Sequence, residues 1–208
     1  MFITFEGPDG SGKSTIIKWL YEKLQNEGFD ILLTREPGGT PISEKIRNII
    51  LDNENTALDP RTEALLYAAS RRQHLVEKIW PALNKGQIVL CDRYLDSSLA
   101  YQGGGRNLGL QNILDINLFA TENTYPDLTI FFDVSPEIGL SRLSQDKKRV
   151  ADRLDNESKS FHDIVYQTFI KVADKYPDRI VKIDASKPIE VVQEEAYKAV
   201  IKKLNGLR

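Results

Sequence analysis

Cysteine is almost missing. Cys91 stands alone in 208 residues, so no disulfide can form within the chain. A reducing cytosol is the expected setting. One cysteine and two histidines cannot build a structural zinc site either. No apolar run approaches the roughly 18 residues that span a bilayer. The chain enters a strand-like segment at once, so no signal peptide is expected. Excess positive charge is absent: 28 Lys and Arg meet 30 Asp and Glu, a net charge of −2, which gives no global field for long nucleic acid. Repeats and low-complexity tracts are lacking. The remainder, 41% hydrophobic and 28% charged, suits a single soluble domain over residues 1–208, large enough for a real core.

Against that background one stretch stands out: Gly7-Pro8-Asp9-Gly10-Ser11-Gly12-Lys13-Ser14-Thr15. It fits G-x-x-x-x-G-K-[ST], the phosphate-binding P-loop. Phe2-Ile3-Thr4-Phe5 before it reads as a strand. Ile16, Ile17, Leu20 and Leu24 after it recur at helical spacing. Strand, glycine loop and helix are the context the motif requires. The glycines let backbone N–H groups turn toward an anion, and the helix N-terminus adds partial positive charge. In such a loop Lys13 reaches the β- and γ-phosphates and the Ser14 hydroxyl is placed to ligate Mg²⁺.

Strands and helices alternate along the rest, which predicts a parallel sheet covered on both faces. Strands are expected at 30–34, 87–91, 128–133 and 180–184. Helices are expected at 41–51, 60–79, 111–121, 136–144, 158–175 and 188–204, with Gly28 ending the first and Pro81 bending or ending the long one. In the 41–51 helix, Ile42, Ile46, Ile49 and Ile50 fall on one face. A further helix carries Ser97, Ser98, Tyr101 and Gln102 and ends at Gly103-Gly104-Gly105.

Asp92 ends an apolar strand, where P-loop proteins hold the acidic group of the metal shell. Asp133 also ends an apolar strand. Asp92 is preferred because Arg93 beside it supplies a cation of the right size for phosphate. Arg35 and Arg93 each follow a predicted strand at the end where open parallel sheets bind ligands. Paired arginines make charge-assisted bonds to phosphate, each contributing about 1.5–3 kcal/mol. A second phosphate site near the P-loop suits a nucleoside monophosphate acceptor. Tyr67, Ser70, Arg71 and His74 share one stripe of the long helix, a ring beside an Arg that suits a base, and Ser98, Tyr101 and Gln102 form a similar stripe. His74 reads as structural. The segment around 145–155, with Arg149 and Arg153, reads as a lid that brings an Arg to the transferring phosphoryl.

Together these motifs resemble the bacterial thymidylate kinase family nearly end to end. The marks are Phe5-Glu6-Gly7-Pro8-Asp9-Gly10-Ser11-Gly12-Lys13-Ser14, Thr34-Arg35-Glu36-Pro37-Gly38-Gly39, Ala68-Ala69-Ser70-Arg71-Arg72, Asp92-Arg93-Tyr94 through Gln102, Pro126-Asp127-Leu128-Thr129 and Asp152-Arg153-Leu154-Asp155. The resemblance implies an α/β P-loop NTPase of the nucleoside-monophosphate-kinase type, a five-stranded parallel sheet flanked by helices, and a homodimer. It implies transfer of the ATP γ-phosphoryl to dTMP. Asp9 would then reach the sugar 3′-OH, and Arg35 and Arg93 would hold the acceptor phosphate. Arg71 would bond thymine O4, Tyr67 would stack on the base, and Ser98 and Gln102 would serve its edge. Tyr101 would fill the space of a ribose 2′-OH, and Arg47 would lie in the helix lining the pocket. The family commonly carries Phe where this chain has Tyr67. The P-loop here lacks an Arg, which implies the kind with catalytic arginines in the lid, Arg153 being the better motif match.

Two other readings compete. A deoxynucleoside kinase on a related fold would need a carboxylate near the sugar 5′-OH, and Glu36 could be taken for it. A GTPase switch would need N-K-x-D, but Asn84-Lys85-Gly86-Gln87 lacks the Asp.

Overall fold

In the computed structural model, which describes residues 1–145 and 151–206, five strands form one parallel sheet. They are β1 (Phe2–Glu6), β2 (Ile31–Arg35), β3 (Ile88–Asp92), β4 (Leu128–Asp133) and β5 (Ile180–Asp184), in the order β2-β3-β1-β4-β5. β1 lies in the middle, and the chain leaves it first toward β2 and β3 and later toward β4 and β5. Loops from the two halves therefore diverge at the C-terminal end of β1, the crevice where such sheets bind ligands.

Side chains alternate across the sheet, and both faces are apolar. Ile3, Phe5, Leu90, Ile130 and Phe132 point to one face. There they meet Ile16, Ile17, Leu20 and Leu24 of α1 (Lys13–Asn26), and Val192, Ala196 and Val200 of α9 (Ile189–Asn205). Phe2, Val89, Cys91 and Phe131 point the other way. They are covered by Leu75 and Ile79 behind α3 (Pro60–His74), and by Val165, Phe169 and Val172 of α8 (Lys159–Lys175). This double burial is why the strands read as near-continuous apolar runs.

The expected elements are present, and the differences are local. β2 and β3 each begin and end one residue later than the sequence suggests, because the pairing runs from Ile31 with Ile88 to Arg35 with Asp92. Pro81 does not end the long helix. A π-helical turn, Leu75–Ile79, follows α3, and Pro81 falls in the first turn of α4 (Trp80–Asn84), where its missing N–H leaves no bond unmade. The apolar stripe of α2 (Pro41–Leu51) is only partly covered: Ile42 and Ile49 are 48% and 47% exposed, while Ile50 is fully buried. Burial of α2 comes from its contact with α3, which the Ser43 hydroxyl cements by donating to the Ser70 carbonyl. The helix after β3 is α5 (Leu95–Ser98), continued by a π-helical stretch, Leu99–Gly105. α6 (Leu110–Thr121) and α7 (Pro136–Gln145) complete the set, and among the described residues no helix is long and apolar enough to cross a membrane.

Candidate active site

The P-loop wraps the end of β1 and delivers the chain into α1 at Lys13. Gly10 takes φ +74° and lies so close to Gly139 of α7 that a Cβ on Gly10 would come 2.1 Å from the Gly139 carbonyl oxygen. A Cβ on Gly139 would meet the Asp9 carbonyl at 2.5 Å. The loop thus needs glycine on both sides of one backbone contact. Lys13 folds over the loop: its Nζ donates to the carbonyls of Gly7 (2.9 Å) and Pro8 (2.8 Å) and to Ser11 Oγ (3.2 Å). Burial, then the Arg93 charge, lowers the ammonium pKa to about 8. Pro8, Ser11 and Thr15 belong to the same wrap.

Ser14 donates to Asp92 Oδ2 at 2.9 Å, which joins the P-loop to the end of β3. The other Asp92 oxygen, Oδ1, is buried and has no hydrogen-bond partner among the described residues. A hydroxyl beside a carboxylate with an oxygen still to satisfy is a donor set that suits Mg²⁺. Asp133, the competing acid, instead accepts from the Tyr166 hydroxyl at 3.0 Å and lies opposite Asp184 of the edge strand. Both β3 and β4 adjoin β1, so the difference lies in the partners: Asp92 takes the P-loop hydroxyl of Ser14, and Asp133 takes that of Tyr166.

A cavity of about 380 Å³ runs from Lys13 and Ser14 at one end to Arg71 and Gln102 at the other. Arg93 stands at its middle. Its backbone is left-handed (φ 68°), a conformation that turns the guanidinium back over the P-loop. There it donates to Asp9 Oδ1 (2.6 Å), the Gly7 carbonyl (3.0 Å) and Ser97 Oγ (3.0 Å). The Tyr101 hydroxyl donates to the other Asp9 oxygen at 2.6 Å. Below this group lies Glu6, almost wholly buried. It accepts the Tyr94 N–H (2.8 Å) and the Ser97 hydroxyl (2.5 Å), and so fixes the turn that carries Arg93. Burial, then Asp96, raises the Glu6 pKa to about 7.

Arg35 and Arg47 both donate to the Pro37 carbonyl at 2.9 Å, and Arg35 also pairs with Glu44 at 3.0 Å. These two cations therefore line the cavity from the β2–α2 side. At the deep end Arg71 is buried and nearly saturated. It pairs with Glu36 (2.7 Å) and donates to Ser98 Oγ (3.0 Å), the Tyr94 carbonyl (2.9 Å) and Asn117 Oδ1. Among the described residues these use four of the five guanidinium N–H groups. Tyr67, Ser98 and Gln102 complete that end. Burial, then the nearby Glu63 charge, raises the Tyr67 pKa, so the phenol stays neutral. His74 is fully buried between Thr34 Oγ1 (2.7 Å) and Glu36 (3.1 Å), in keeping with a structural role.

The lid is where the structure departs most from the motif. Arg149 lies outside the described residues. Arg153 does not line the cavity; its neighbours Asp152 and Leu154 do. Its guanidinium instead donates to Glu63 at 2.5 Å and to the Ile50 carbonyl at 3.0 Å. Glu6, Glu36, Glu63, Asp152 and Gly139 were not among the residues that sequence reasoning assigned to the site. Glu6 and Glu36 sit inside the very motifs quoted for the resemblance, directly before the P-loop and after Arg35. Glu63 carries no comparable signal.

Residues 5–196 match the family model described as thymidylate kinase. The chain is 55% identical to the thymidylate kinase of Geobacillus sp. (strain WCH70) over 99% of its own length and 98% of that protein. It is 54% identical to the thymidylate kinase of Enterococcus faecalis (strain ATCC 700802 / V583), covering 98% and 96%. Its fold superposes on the crystal structure of thymidylate kinase from Ehrlichia chaffeensis with a TM-score of 0.78, at 35% identity over 97% of this chain and 98% of that one. A P-loop joined to a second arginine-lined pocket, on a backbone and sequence shared from end to end with these enzymes, places the chain in the thymidylate kinase family.

Proposed function

We propose that the enzyme transfers the γ-phosphoryl of ATP directly to dTMP, giving dTDP. The observation that carries this reading is one cavity lined by two cationic centres, Lys13 of the P-loop and the Arg93–Arg35 pair, together with the polar groups Arg71, Ser98 and Gln102 and the Tyr67 ring. ATP enters on the P-loop side, where Lys13 exchanges its carbonyl partners for phosphate oxygens. The acceptor phosphate lies on Arg93 and Arg35, and the base reaches Arg71, Ser98 and Gln102 with Tyr67 against its face. Tyr101 and Asp9 meet the sugar.

Attack is in line, with no covalent enzyme intermediate. The chain's task is to hold two anionic groups together and neutralise the charge on the transferring phosphoryl. Ser14 and Asp92 would hold Mg²⁺, which when bound offsets charge on the β- and γ-phosphate oxygens. Of the lid arginines, Arg153 is paired with Glu63, and the cation for the transferring phosphoryl is assigned to the lid as a whole. The enzyme acts in the cytoplasm as a homodimer. Ile42, Ile49, Leu65 and Phe119 stay exposed on α2, α3 and α6, and a second copy would cover them.

The deoxynucleoside kinase reading needs a carboxylate free to take the 5′-hydroxyl proton. Glu36 is instead held between Arg71 and His74, which disfavours that role. ADP release with dTMP and with thymidine, each alone with ATP-Mg²⁺, separates the two: turnover with dTMP supports the proposal, and turnover with thymidine alone overturns it.

A further inference from the structure

Glu63 has no place in the phosphoryl chemistry, yet it is completely buried beside the site. A carboxylate in that position demands donors, and the chain supplies three residues. Arg153 donates at 2.5 Å, Arg106 through Nε at 3.2 and 3.3 Å, and Gln102 through Nε2 at 2.9 Å. Burial works against its charge, but the Arg153, Arg106 and Gln102 hydrogen bonds outweigh burial and hold the carboxyl below the usual carboxylate range. Glu63 is therefore ionised at neutral pH, and an ionised carboxylate only accepts.

That condition settles the orientation of Gln102. An amide has one donating and one accepting end. With the NH₂ end bound to Glu63, the Oε1 end faces away from the carboxylate, and Gln102 borders the same deep end of the cavity as Arg71 and Ser98. We propose that Glu63 is a positioning residue that locks the Gln102 oxygen toward the base and so selects a pyrimidine whose N3 carries a proton. This inference rests on the reading of the deep end as the base pocket.

The chemistry is one of matched signs. Thymine and uracil offer N3–H as a donor and O4 as an acceptor. The Gln102 oxygen takes the first and the remaining Arg71 N–H takes the second. Cytosine reverses both groups, setting acceptor against acceptor and donor against donor. A buried site built for one hydrogen-bond pattern rejects its reverse by roughly 10³-fold or more. Without Glu63 the Gln102 amide is free to turn over and the discrimination is lost.

The test compares dTMP with dCMP in the wild-type enzyme, in Glu63→Gln, and in the exchanged pair Glu63→Gln with Gln102→Glu, each checked for folding by circular dichroism. In Glu63→Gln the kcat/KM ratio of dTMP to dCMP is expected to fall at least tenfold, through a higher KM for dTMP rather than a lower kcat. The exchanged pair keeps the charge and presents an acceptor-only group at position 102, so the ratio is expected to return to within about threefold of wild type. A ratio unchanged in Glu63→Gln, or a folded exchanged pair that does not recover it, overturns the proposal. Should Glu63→Gln not fold, the exchanged pair is compared with wild type directly, by the same criterion. Failure of the underlying reading shows separately, as a wild-type enzyme with no dTMP turnover.

Discussion

Arg93 and Asp9 face each other inside the cavity, guanidinium to carboxylate, at 2.6 Å. The pair links the end of β3 to the P-loop, so the residue assigned to the acceptor phosphate is oriented by the loop that holds the donor. The Tyr101 hydroxyl closes the group on the other Asp9 oxygen. The groups proposed for donor, acceptor and sugar therefore share one set of hydrogen bonds.

Arg93→Ala removes two charge-assisted bonds from the acceptor phosphate, together about 3–6 kcal/mol. The expected result is a fall of roughly 10²- to 10⁴-fold in kcat/KM for dTMP, with ATP affinity nearly kept. Steady-state kinetics with an ATP titration checks both halves.

Arg153→Ala is expected to act first on stability. It withdraws one of the donors to buried Glu63 while Arg106 remains, a loss of about 1–3 kcal/mol. For a domain of this size Tm should fall by roughly 2–4 °C per kcal/mol. Thermal denaturation beside kinetics decides it. Unchanged Tm with kcat reduced a thousandfold would instead place Arg153 at the transferring phosphoryl.

Tyr101→Ala opens space beside Asp9. Turnover of the ribose analogue of dTMP, relative to dTMP, is expected to rise at least tenfold. Tyr101→Phe should leave sugar discrimination intact, because the ring rather than the hydroxyl fills that space. Competition between the two monophosphates measures the ratio.

Glu6→Gln tests the buried carboxylate under Arg93. With its folded pKa raised to about 7 from 4.5, Glu6 takes up a proton on folding between those values. Its contribution is fully present below pH 4.5 and is lost as pH rises through 7. Asp96 opposes its charge, while Arg93, Lys13, Arg71 and Arg179 lie in the same field. In Glu6→Gln the amide oxygen still accepts the Tyr94 N–H, and the amide NH₂ donates to the Ser97 hydroxyl, which turns to accept, so both contacts are kept without the charge. Its stability relative to wild type is therefore expected to rise between pH 5 and pH 8, by at most about 3 kcal/mol. Urea denaturation across that range checks the slope, and a flat difference contradicts it.

The strand–loop–helix around the P-loop, the parallel sheet and the positions of Asp92 and Arg93 at a strand end were legible because periodicity and motif spacing are local. The partners of the site's cations were not. Glu63 meets Gln102 and Arg153 across 39 and 90 residues of chain, and no local pattern announces such a contact. The exposure of much of the α2 stripe has the same origin. Helical spacing identified Ile42, Ile46, Ile49 and Ile50 as one stripe, but which stripe is buried depends on where α3 packs. Pro81 shows that a helix breaker in sequence is tolerated when a wider turn precedes it.

The most direct measurement is ADP release with ATP-Mg²⁺ and a single acceptor: dTMP, dUMP, thymidine or GMP. The account predicts strong turnover with dTMP, weaker turnover with dUMP because the buried thymine methyl contributes only about 0.8 kcal/mol, and little with thymidine or GMP. Turnover with thymidine and none with dTMP would contradict it, because Arg35 and Arg93 would then have no acceptor phosphate to hold.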